Sequence, residues 1–324
     1  MTNSGDPVAC VLGGSGFLGR RIADLLLARG RRVVVADVRE SETHAALWRH
    51  ADVRDVESLR TALAGVDVVY DVAAEWRDDV RPVSRYYEVN VEGAKKLCAA
   101  MDSLGIRQHI FASSVSVYPY LAAVMNEDTA IDPQNDYGRS KSQAEQVFRD
   151  WQARDPDRAN VMLRPTVIFG EGNRGNVYNL ISQIDSGKFA MIGSGANAKS
   201  ISYVDNVAEA FLFCERLGPG THLLNVSDQP DFTMNELVPK VARLLGREPP
   251  AVRLPYAVAY AAGLAGDVAA LFGLRLRIRS ERVRKFCANT RYSSTRLRAL
   301  GYEQRVPLDE ALARVVAREF QRPR

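Results

Sequence analysis

A tyrosine and a lysine four residues apart have the types and spacing that acid–base chemistry requires. Tyr137 and Lys141 belong to the segment YGRSK, and this spacing places both side chains on one face of a helix. A lysine ammonium beside a phenol favours the phenolate, which lowers the tyrosine pKa from about 10 toward neutral pH. The tyrosine could then exchange a proton with a substrate hydroxyl or carbonyl. The same spacing also occurs on ordinary exposed helix faces, so the interpretation depends on the rest of the chain.

Three serines follow a short apolar segment at residues 109–112, which we predict to be a strand. Ser113, Ser114 and Ser116 would emerge at the carboxyl end of that strand, where open α/β sheets bind ligands. A serine hydroxyl in this position can donate a hydrogen bond to a reacting oxygen. The alternative is that these serines only cap a loop.

A glycine-rich loop near the N-terminus has the spacing of a dinucleotide site. Gly13, Gly16 and Gly19 lie between a predicted strand at 8–12 and a predicted helix at 17–29. The first glycine allows a tight turn, the second lets the backbone approach a pyrophosphate, and the third lets the helix pack closely on the strand. The start of the helix would offer free amide groups to the phosphates.

An acidic residue stands where such a site needs one. Asp37 follows the next predicted strand, at 32–36, and its carboxylate would accept hydrogen bonds from the adenosine ribose. A carboxylate would repel a 2′-phosphate, so NAD is favoured over NADP, although Arg39 could hold that phosphate. Asp52 and Val53 stand where the adenine edge is expected, and the alternative for them is a solvated loop before a helix cap.

Strands and helices alternate along the first half of the chain. A further strand is predicted at 66–70 and a helix at 87–104. This order is typical of an α/β fold with a doubly wound parallel sheet, the Rossmann arrangement. We predict an NAD-binding domain with the catalytic residues over 1–170. Residues 171–324 would form mainly a smaller, interleaved α/β substrate-binding part, from which about 200–226 returns to the first domain.

Composition narrows the class of protein. The net charge of +4 over 324 residues is too small for a nucleic-acid-binding domain. The four cysteines are scattered without metal-ligand spacing, so we predict no metal site and reduced thiols in a cytoplasmic protein. Residues 254–274 are apolar, but proline, glycines and Asp267 interrupt them, which argues against a transmembrane span. We predict a buried helical hairpin there, with peripheral membrane contact as the alternative.

The chain resembles the extended short-chain dehydrogenases/reductases of the NAD-dependent epimerase/dehydratase family. The similarity spans nearly the whole length and adds motifs to the glycine loop and the Tyr–Lys pair. These motifs are VAA at 72–74, NVEG at 90–93, RPTVIFG at 164–170, YVDNVA at 203–208 and LGY at 300–302. Two positions depart from the usual pattern, because Leu12 replaces a frequent threonine and Asp71 replaces a frequent histidine.

The resemblance assigns roles to particular residues. It implies catalysis by Ser114, Tyr137 and Lys141, with Ser114 chosen because it lies four residues before the tyrosine of the VY pair at 117–118. It implies NAD as the cofactor, held by Gly13, Gly16, Phe17, Leu18, Asp37, Arg39, Asp52, Val53, Ala73, Ala74, Asn90, Tyr137, Lys141 and Pro165. The candidate substrate contacts are Ser116, Thr166, Asn176, Lys199 and Arg282.

The residues after Ser114 narrow the reaction. Family members that remove water from a sugar carry an Asp-Glu pair there, whereas this chain has Val115 and Ser116. The resemblance therefore implies an alcohol–ketone step, by an NAD-dependent epimerase or 4-keto reductase acting on a nucleotide-linked sugar. Lys199 and Arg282 would bind the diphosphate. The alternatives are a 3β-hydroxysteroid-type or other lipophilic-alcohol dehydrogenase, which the apolar segment favours, and a non-catalytic dinucleotide-binding sensor.

The resemblance also implies a homodimer. Related enzymes commonly pair through the helices that correspond to those beginning near Tyr87 and Tyr137. An apolar stripe on the first of these helices could supply the contact, and it consists of Ala94, Leu97, Cys98 and Met101. The alternative is that the stripe packs against the chain's own sheet.

Overall fold

The strands of the described residues form one seven-stranded sheet and three two-stranded sheets. The computed structural model describes residues 7–77, 80–121, 123–271, 274 and 279–321. The strands in this part of the chain are β1 (Ala9–Leu12), β2 (Val33–Asp37), β3 (Trp48–His50), β4 (Val68–Asp71), β5 (Gln108–Ala112), β6 (Ala159–Pro165), β7 (Val167–Phe169), β8 (Met191–Ile192), β9 (Ala198–Lys199), β10 (Ile201–Tyr203), β11 (Gly220–Val226), β12 (Phe232–Thr233) and β13 (Arg253–Leu254).

Helices cover both faces of the large sheet and form most of the C-terminal part. They are α1 (Phe17–Ala28), α2 (Val56–Leu63), α3 (Ser84–Tyr87), α4 (Gly93–Leu104), α5 (Asp136–Ala153), α6 (Asn176–Asp185), α7 (Val204–Cys214), α8 (Met234–Leu244), α9 (Tyr256–Leu271), α10 (Ser280–Cys287), α11 (Thr295–Ala299) and α12 (Leu308–Glu319). A π-helical turn at Glu88–Glu92 joins α3 to α4. The helices predicted at 17–29 and 87–104 therefore occur, the second with this turn inside it.

The large sheet has seven parallel strands in the spatial order β11-β6-β5-β4-β1-β2-β3. The chain moves outward from β1 in one direction through β2 and β3, and in the other direction through β4 onward. The order thus reverses between β1 and β4, and ligands bind at such a reversal, beyond the carboxyl ends of the strands. The predicted α/β fold with a Rossmann-type sheet is confirmed, and smaller sheets follow it in the C-terminal part.

Alternation of side chains along the buried strands builds one core on each face of the sheet. Ala9 and Val11 of β1 face the core made with α1 and α7. Cys10 and Leu12 face the other core, made with α2, α4 and α5. The stripe on α4 belongs to this second core, because Ala94, Leu97, Cys98 and Met101 are all buried there. The stripe packs within its own chain and is not a free surface for a partner.

The C-terminal part has its own core and returns one strand to the large sheet. Its apolar cluster joins α6, α8 and α12 with β10, and the small sheets pair β7 with β10, β9 with β12 and β8 with β13. Strand β11 pairs with β6 at the edge of the large sheet. The division of the chain at residue 170 into two functional parts stays a prediction.

The apolar segment 254–274 differs from what its sequence predicted, although it extends to residues outside the described ones. Most of its described part forms one helix, α9, and the side chains of Val258 and Val268 are more than half exposed. The prediction of a buried hairpin is therefore wrong. Among the described helices, none is long and apolar enough to cross a membrane.

Candidate active site and dinucleotide cradle

The loop after β1 leaves no room for side chains where it meets the loop after β4. A Cβ added to Gly13 would lie 2.7 Å from the backbone nitrogen of Ala73, and Gly13 has a φ of 82°. A Cβ on Gly19 would overlap the carbonyl oxygen of Gly13. These contacts hold the loop and the first turn of α1 against the ends of both strands. Ala74 follows in the same segment and is half-buried.

Gly16 borders an opening rather than a packed surface. The nearest atom to a Cβ added there would be the carbonyl oxygen of Gly13, at 3.1 Å. Gly16 is also the N-cap of α1, and no side chain caps the helix there. The amide groups at Phe17 and Leu18 therefore begin an uncapped helix, which is the usual setting for a phosphate. The ring of Phe17 lies beside Gly170 at the end of β7.

Asp37 ends β2 next to this loop and its carboxylate is buried. It accepts hydrogen bonds from the backbone N–H of Ser15 at 3.1 Å and from that of Arg39 at 3.0 Å. The Ser15 hydroxyl in turn donates to the Arg39 carbonyl at 2.8 Å. The carboxylate is thus fixed between the glycine loop and the turn after β2, whereas the Arg39 side chain is exposed.

The two residues predicted near the adenine edge lie in the turn after β3. The Asp52 carboxylate pairs with Arg54 at 2.6 Å, and this hydrogen-bonded cation lowers the pKa of Asp52. Val53 packs against Gly93 at the start of α4, where an added Cβ would lie 3.0 Å from its side chain. Asp55 is the N-cap of α2, as the alternative interpretation of this turn expected.

Helix α5 carries Tyr137 in its first turn, and two contacts fix that turn. The side chain of Asn135, the N-cap, accepts a hydrogen bond from the N–H of Gly138 at 2.8 Å. A Cβ added to Gly138 would overlap the carbonyl oxygen of Ser116. The first turn of α5 therefore lies directly on the serine segment after β5. The ring of Tyr86 lies 6.4 Å from that of Tyr137, centroid to centroid.

Lys141 is almost completely buried, one turn further along α5. Its ammonium lies 4.0 Å from the centroid of the Phe111 ring, a favourable contact for a cation. Burial lowers the pKa of Lys141 to about 8, and the carboxylates of Asp71 and Glu145 partly oppose that effect. Asp71, which replaces a frequent histidine of the family, thus contributes charge to the surroundings of this lysine.

The serine segment forms a short 3₁₀ turn, Val115–Val117, that Ser114 caps. The Ser114 hydroxyl accepts from the N–H of Ser116 and donates to the Ser116 hydroxyl, both at 3.1 Å. Both interpretations of Ser114 are therefore compatible with its position, because it caps a loop while its oxygen lies at the carboxyl end of β5. Asn90 is buried nearby, where its amide bonds the backbone of Glu75 and the hydroxyl of Ser140.

A buried ion pair supports these elements, and the sequence analysis did not identify it. Arg164 of β6 donates from two nitrogens to Glu145 of α5, at 2.7 and 2.6 Å. It also donates to the hydroxyl of Tyr118, which donates in turn to Asn225 of β11. The RP motif at 164–165 and a glutamate four residues after Lys141 were the available signals, but neither reveals the pairing. The pair joins α5 to β6, and the hydroxyl of Tyr118 extends the network to β11.

A cleft lies beside the serine segment. Its lining residues, from both parts of the chain, are Val115, Ser116, Tyr118, Tyr120, Gln134, Asn135, Val167, Ser200, Lys285, Thr290 and Tyr292. The rings of Tyr118 and Tyr292 stack at 5.8 Å on one wall. Most of these residues carry hydroxyl or amide groups, which suit a polar ligand. None of the described lining residues comes from 254–274, so the apolar segment does not supply a lipophilic pocket here.

Of the predicted substrate contacts, only Ser116 lines this cleft. Thr166 is buried and its hydroxyl bonds that of Ser202 at 2.6 Å, next to Pro165 at the end of β6. The Lys199 ammonium donates to the carbonyls of Lys285 and Ala288 at 3.0 and 2.7 Å, so it caps the C-terminal end of α10.

Two further candidates lie on the surface of helices. Asn176 is exposed at the start of α6, and Arg282 is exposed on α10. The structure thus brings together the catalytic and cofactor candidates more closely than the substrate candidates, and the roles of all of them stay predictions.

Many known proteins are similar to this chain in sequence or in fold. Residues 9–226 match the NAD dependent epimerase/dehydratase family. The chain is 40% identical over 313 residues to the N-acetyl-alpha-D-glucosaminyl-diphospho-ditrans,octacis-undecaprenol 4-epimerase of Escherichia coli O157:H7, covering 96% of this chain and 94% of that protein. The solved structure of gox2253 has a TM-score of 0.80 at 26% identity and covers 97% of this chain and 98% of its own. That of MoeE5 in complex with UDP-glucose and NAD has a TM-score of 0.75 at 26% identity, covering 96% and 97%.

Proposed function

Because the chain belongs to the NAD-dependent epimerase/dehydratase family, we propose that it is a 4-epimerase of a sugar that carries a diphosphate. The observation that carries this proposal is the buried Lys141 on the same face of α5 as Tyr137, with the serine segment packed on the first turn of that helix. This arrangement supplies a proton-transfer group beside a dinucleotide cradle, which is what reversible oxidation of a hydroxyl requires.

The glycine loop at 13–19 has no side chains at Gly13, Gly16 and Gly19, so its backbone is open to the phosphates of NAD. The loop residues, together with the uncapped start of α1, would hold the pyrophosphate. Asp37 would accept hydrogen bonds from the adenosine ribose, and its negative charge favours NAD over NADP. NAD is the cofactor, as the nicotinamide-dependent chemistry of the family requires. When bound, it supplies the acceptor and donor of the hydride that leaves and rejoins C4.

The residues of the chain would move the proton that accompanies this hydride. Tyr137, as the phenolate, takes the proton of the C4 hydroxyl and later returns a proton to the same oxygen. The Lys141 ammonium favours that phenolate through its charge. Ser114 would turn its hydroxyl from Ser116 to the C4 oxygen and so hold the carbonyl that forms. Because bound NAD would give back to C4 the hydride that it takes, the product would differ from the substrate only in the configuration of C4, with no net oxidation.

Two kinds of carrier are compatible with a sugar diphosphate. The sequence analysis predicted a nucleotide-linked sugar, and the similar fold of MoeE5 holds UDP-glucose. The relative at 40% identity is named for a sugar diphosphate linked to undecaprenol. The two substrates share the sugar, the diphosphate and the reaction at C4, and they differ in what lies beyond the second phosphate. The higher identity favours the polyprenyl carrier for this chain.

The test is product analysis with substrates of both kinds. The purified protein would be incubated with UDP-N-acetylglucosamine and with N-acetylglucosaminyl-diphospho-undecaprenol, and the sugar would be released by acid and separated from its C4 epimer by chromatography. We expect the epimer to form without a change in mass and without net production of NADH. The Tyr178→Phe protein, changed on α6 where the ring packs against Phe320, is the matched control for Tyr137→Phe. Stoichiometric NADH would instead indicate a dehydrogenase, and absence of both products would refute the proposal.

Three further expectations concern an alternative substrate, a homodimer and the location of the protein in the cell. A dehydrogenase of a lipophilic alcohol loses its main support, because the apolar segment does not line the cleft among the described residues. A homodimer would have to use surfaces other than the buried stripe of α4. We propose a cytoplasmic location, in keeping with four free cysteines, three of them buried.

A further inference from the structure

Helix α9 presents an apolar surface to solvent. Seven of the fifteen large hydrophobic side chains that are exposed in the described part of the chain lie between residues 252 and 274: Val252, Leu254, Tyr256, Val258, Leu264, Val268 and Leu274. Alanines fill most of the positions between them on α9. A contiguous exposed apolar surface of this kind marks a site of interaction rather than an ordinary feature of a soluble domain.

Helix α9 packs against α10 through a face that consists of small residues. A Cβ added to Gly263 would lie 2.7 Å from the Cα of Ser280, so α9 and α10 touch backbone to backbone there. Asp267 is the one charged residue of α9, and it accepts hydrogen bonds from Arg279 and Ser280. The negative charge of Asp267 is therefore paired on the side of α9 that faces α10, and the side that faces solvent carries apolar residues.

The sequence around this surface is rich in basic residues. Residues 253–285 contain seven basic and two acidic side chains, a net charge of +5, whereas the whole chain carries only +4. Of the described members, Arg253 precedes α9, and Arg282 and Arg284 are exposed on α10. Exposed apolar residues rimmed by arginines complement a surface that is apolar inside and negatively charged outside, which describes an anionic lipid leaflet.

Helix α10, against which α9 packs, reaches the candidate cleft. Lys285, near the end of α10, lines it, and so does Thr290 in the segment after that helix. The Lys199 ammonium donates a hydrogen bond to the backbone carbonyl of Lys285. The apolar surface and the cleft therefore belong to one continuous part of the molecule, joined through α10.

We propose that α9 and its basic surroundings form a membrane-docking face, which we call the α9 face, and that its partner is an anionic lipid leaflet. Resting on the proposed function, this face would leave the lipid part of a polyprenyl-linked substrate in the membrane while the sugar diphosphate enters the cleft beyond α10. The sixteen residues of α9 span about 24 Å, which is shorter than the roughly 30 Å hydrocarbon core. The helix therefore lies in one leaflet and does not cross.

A second copy of the chain is a poorer partner for this face. Pairing through a twofold axis would bring the basic residues of both copies into one interface, and like charges in contact repel. The phosphates of an anionic leaflet instead attract each arginine near the surface, by about fivefold in affinity per residue.

Vesicle flotation of the full chain without substrate tests the face. We expect the protein to float with vesicles of phosphatidylglycerol and phosphatidylcholine, less with phosphatidylcholine alone, and less at high salt. Leu264→Asp should lower the partition coefficient at least about tenfold, because it buries a charge in the leaflet. Leu300→Asp changes the same residue type at similar exposure, just after α11, and should leave flotation unchanged. Protein that does not float, or a Leu264→Asp protein that floats equally well, would overturn the α9 face.

Two further outcomes separate this inference from the proposed function. A dimer that Leu264→Asp dissociates in light scattering would assign the face to a second copy and would overturn the membrane interpretation. Protein that floats yet epimerises neither substrate would refute the proposed function and support the face. We expect Leu264→Asp to retain turnover of UDP-N-acetylglucosamine, if the parent has it, and to lose at least about tenfold with the vesicle-borne polyprenyl substrate.

Discussion

Gly138 and Ser116 approach each other so closely that no side chain fits between them. A Cβ on Gly138 would overlap the carbonyl oxygen of Ser116, although 22 residues separate the two in the sequence. This contact sets the distance between the helix that carries Tyr137 and the serine segment after β5. The position of Tyr137 relative to Ser114 thus depends on Gly138, which has no side chain that could take part in the proposed reaction.

Gly138→Ala should therefore impair catalysis through position alone. The added methyl must push α5 away from the serine segment, and overpacking of this kind costs about 1–3 kcal/mol of stability. Because displacement of catalytic groups by about 1 Å can cost 10²-fold, we expect kcat to fall at least tenfold. Gly218→Ala is the control, since a Cβ there meets nothing within 4 Å. Full activity of Gly138→Ala would show that α5 tolerates the shift.

Tyr137→Phe should stop turnover without disturbing the fold or the cofactor. The change removes the hydroxyl that exchanges the proton and keeps the ring near Tyr86. General acid–base groups typically contribute about 10²–10⁴-fold, so we expect a loss of at least 10²-fold in kcat and a Kd for NAD within about threefold of the parent. Fluorescence titration with NADH measures the affinity. A variant that keeps more than a tenth of the activity would assign the proton transfer to another group.

Asp37 should determine the choice between NAD and NADP. Removal of the carboxylate in Asp37→Asn keeps an acceptor for the ribose but removes the negative charge that repels a 2′-phosphate. We expect the ratio of the two dissociation constants, NADP over NAD, to fall at least about tenfold, as a charged hydrogen bond contributes about 1.5–3 kcal/mol. Asp24→Asn, on the exposed surface of α1, should not change the ratio. An unchanged ratio in Asp37→Asn would move the discrimination to other residues.

The local parts of the site could be predicted from the sequence. The glycine loop, the acid after β2 and the Tyr–Lys pair each lie within one turn or one strand–helix unit, so spacing alone brings their members together. Four strands of the large sheet, β1, β2, β4 and β5, were predicted from apolar segments, and they occur within two residues of the expected bounds.

The long-range parts could not be predicted in the same way. The pairing of Glu145 with Arg164 joins α5 to β6, and periodicity says nothing about which helix side chain meets which strand. The failure at residues 254–274 has another cause. An apolar segment must be covered by something, but its pattern does not distinguish the chain's own core from a lipid surface. Burial was inferred for α9, and its exposed side chains show that the described part of the chain does not cover it.

Lys141→Met should stabilise the protein while it abolishes activity. Burial lowers the pKa of Lys141 to about 8 in the folded chain from 10.5, so the unfolded chain binds this proton more tightly. Below pH 8 the folded protein carries the full cost of a buried charge, about 3 kcal/mol by the usual conversion. Between pH 8 and 10.5 the unfolded chain holds more protons than the folded one, and the stability of the parent therefore rises with pH.

Methionine has a similar length and no charge, so Lys141→Met should exceed the parent in free energy of unfolding at pH 7, and the difference should shrink as the pH approaches 10. Urea unfolding at several pH values measures this. Lys95→Met, an exposed lysine on α4, should show no such trend. A difference that does not change with pH would mean that Lys141 keeps its proton in the fold, stabilised by Asp71, Glu145 and the Phe111 ring more than burial destabilises it. In that case the cost of the lysine would lie in packing, and its role in lowering the pKa of Tyr137 would extend to higher pH.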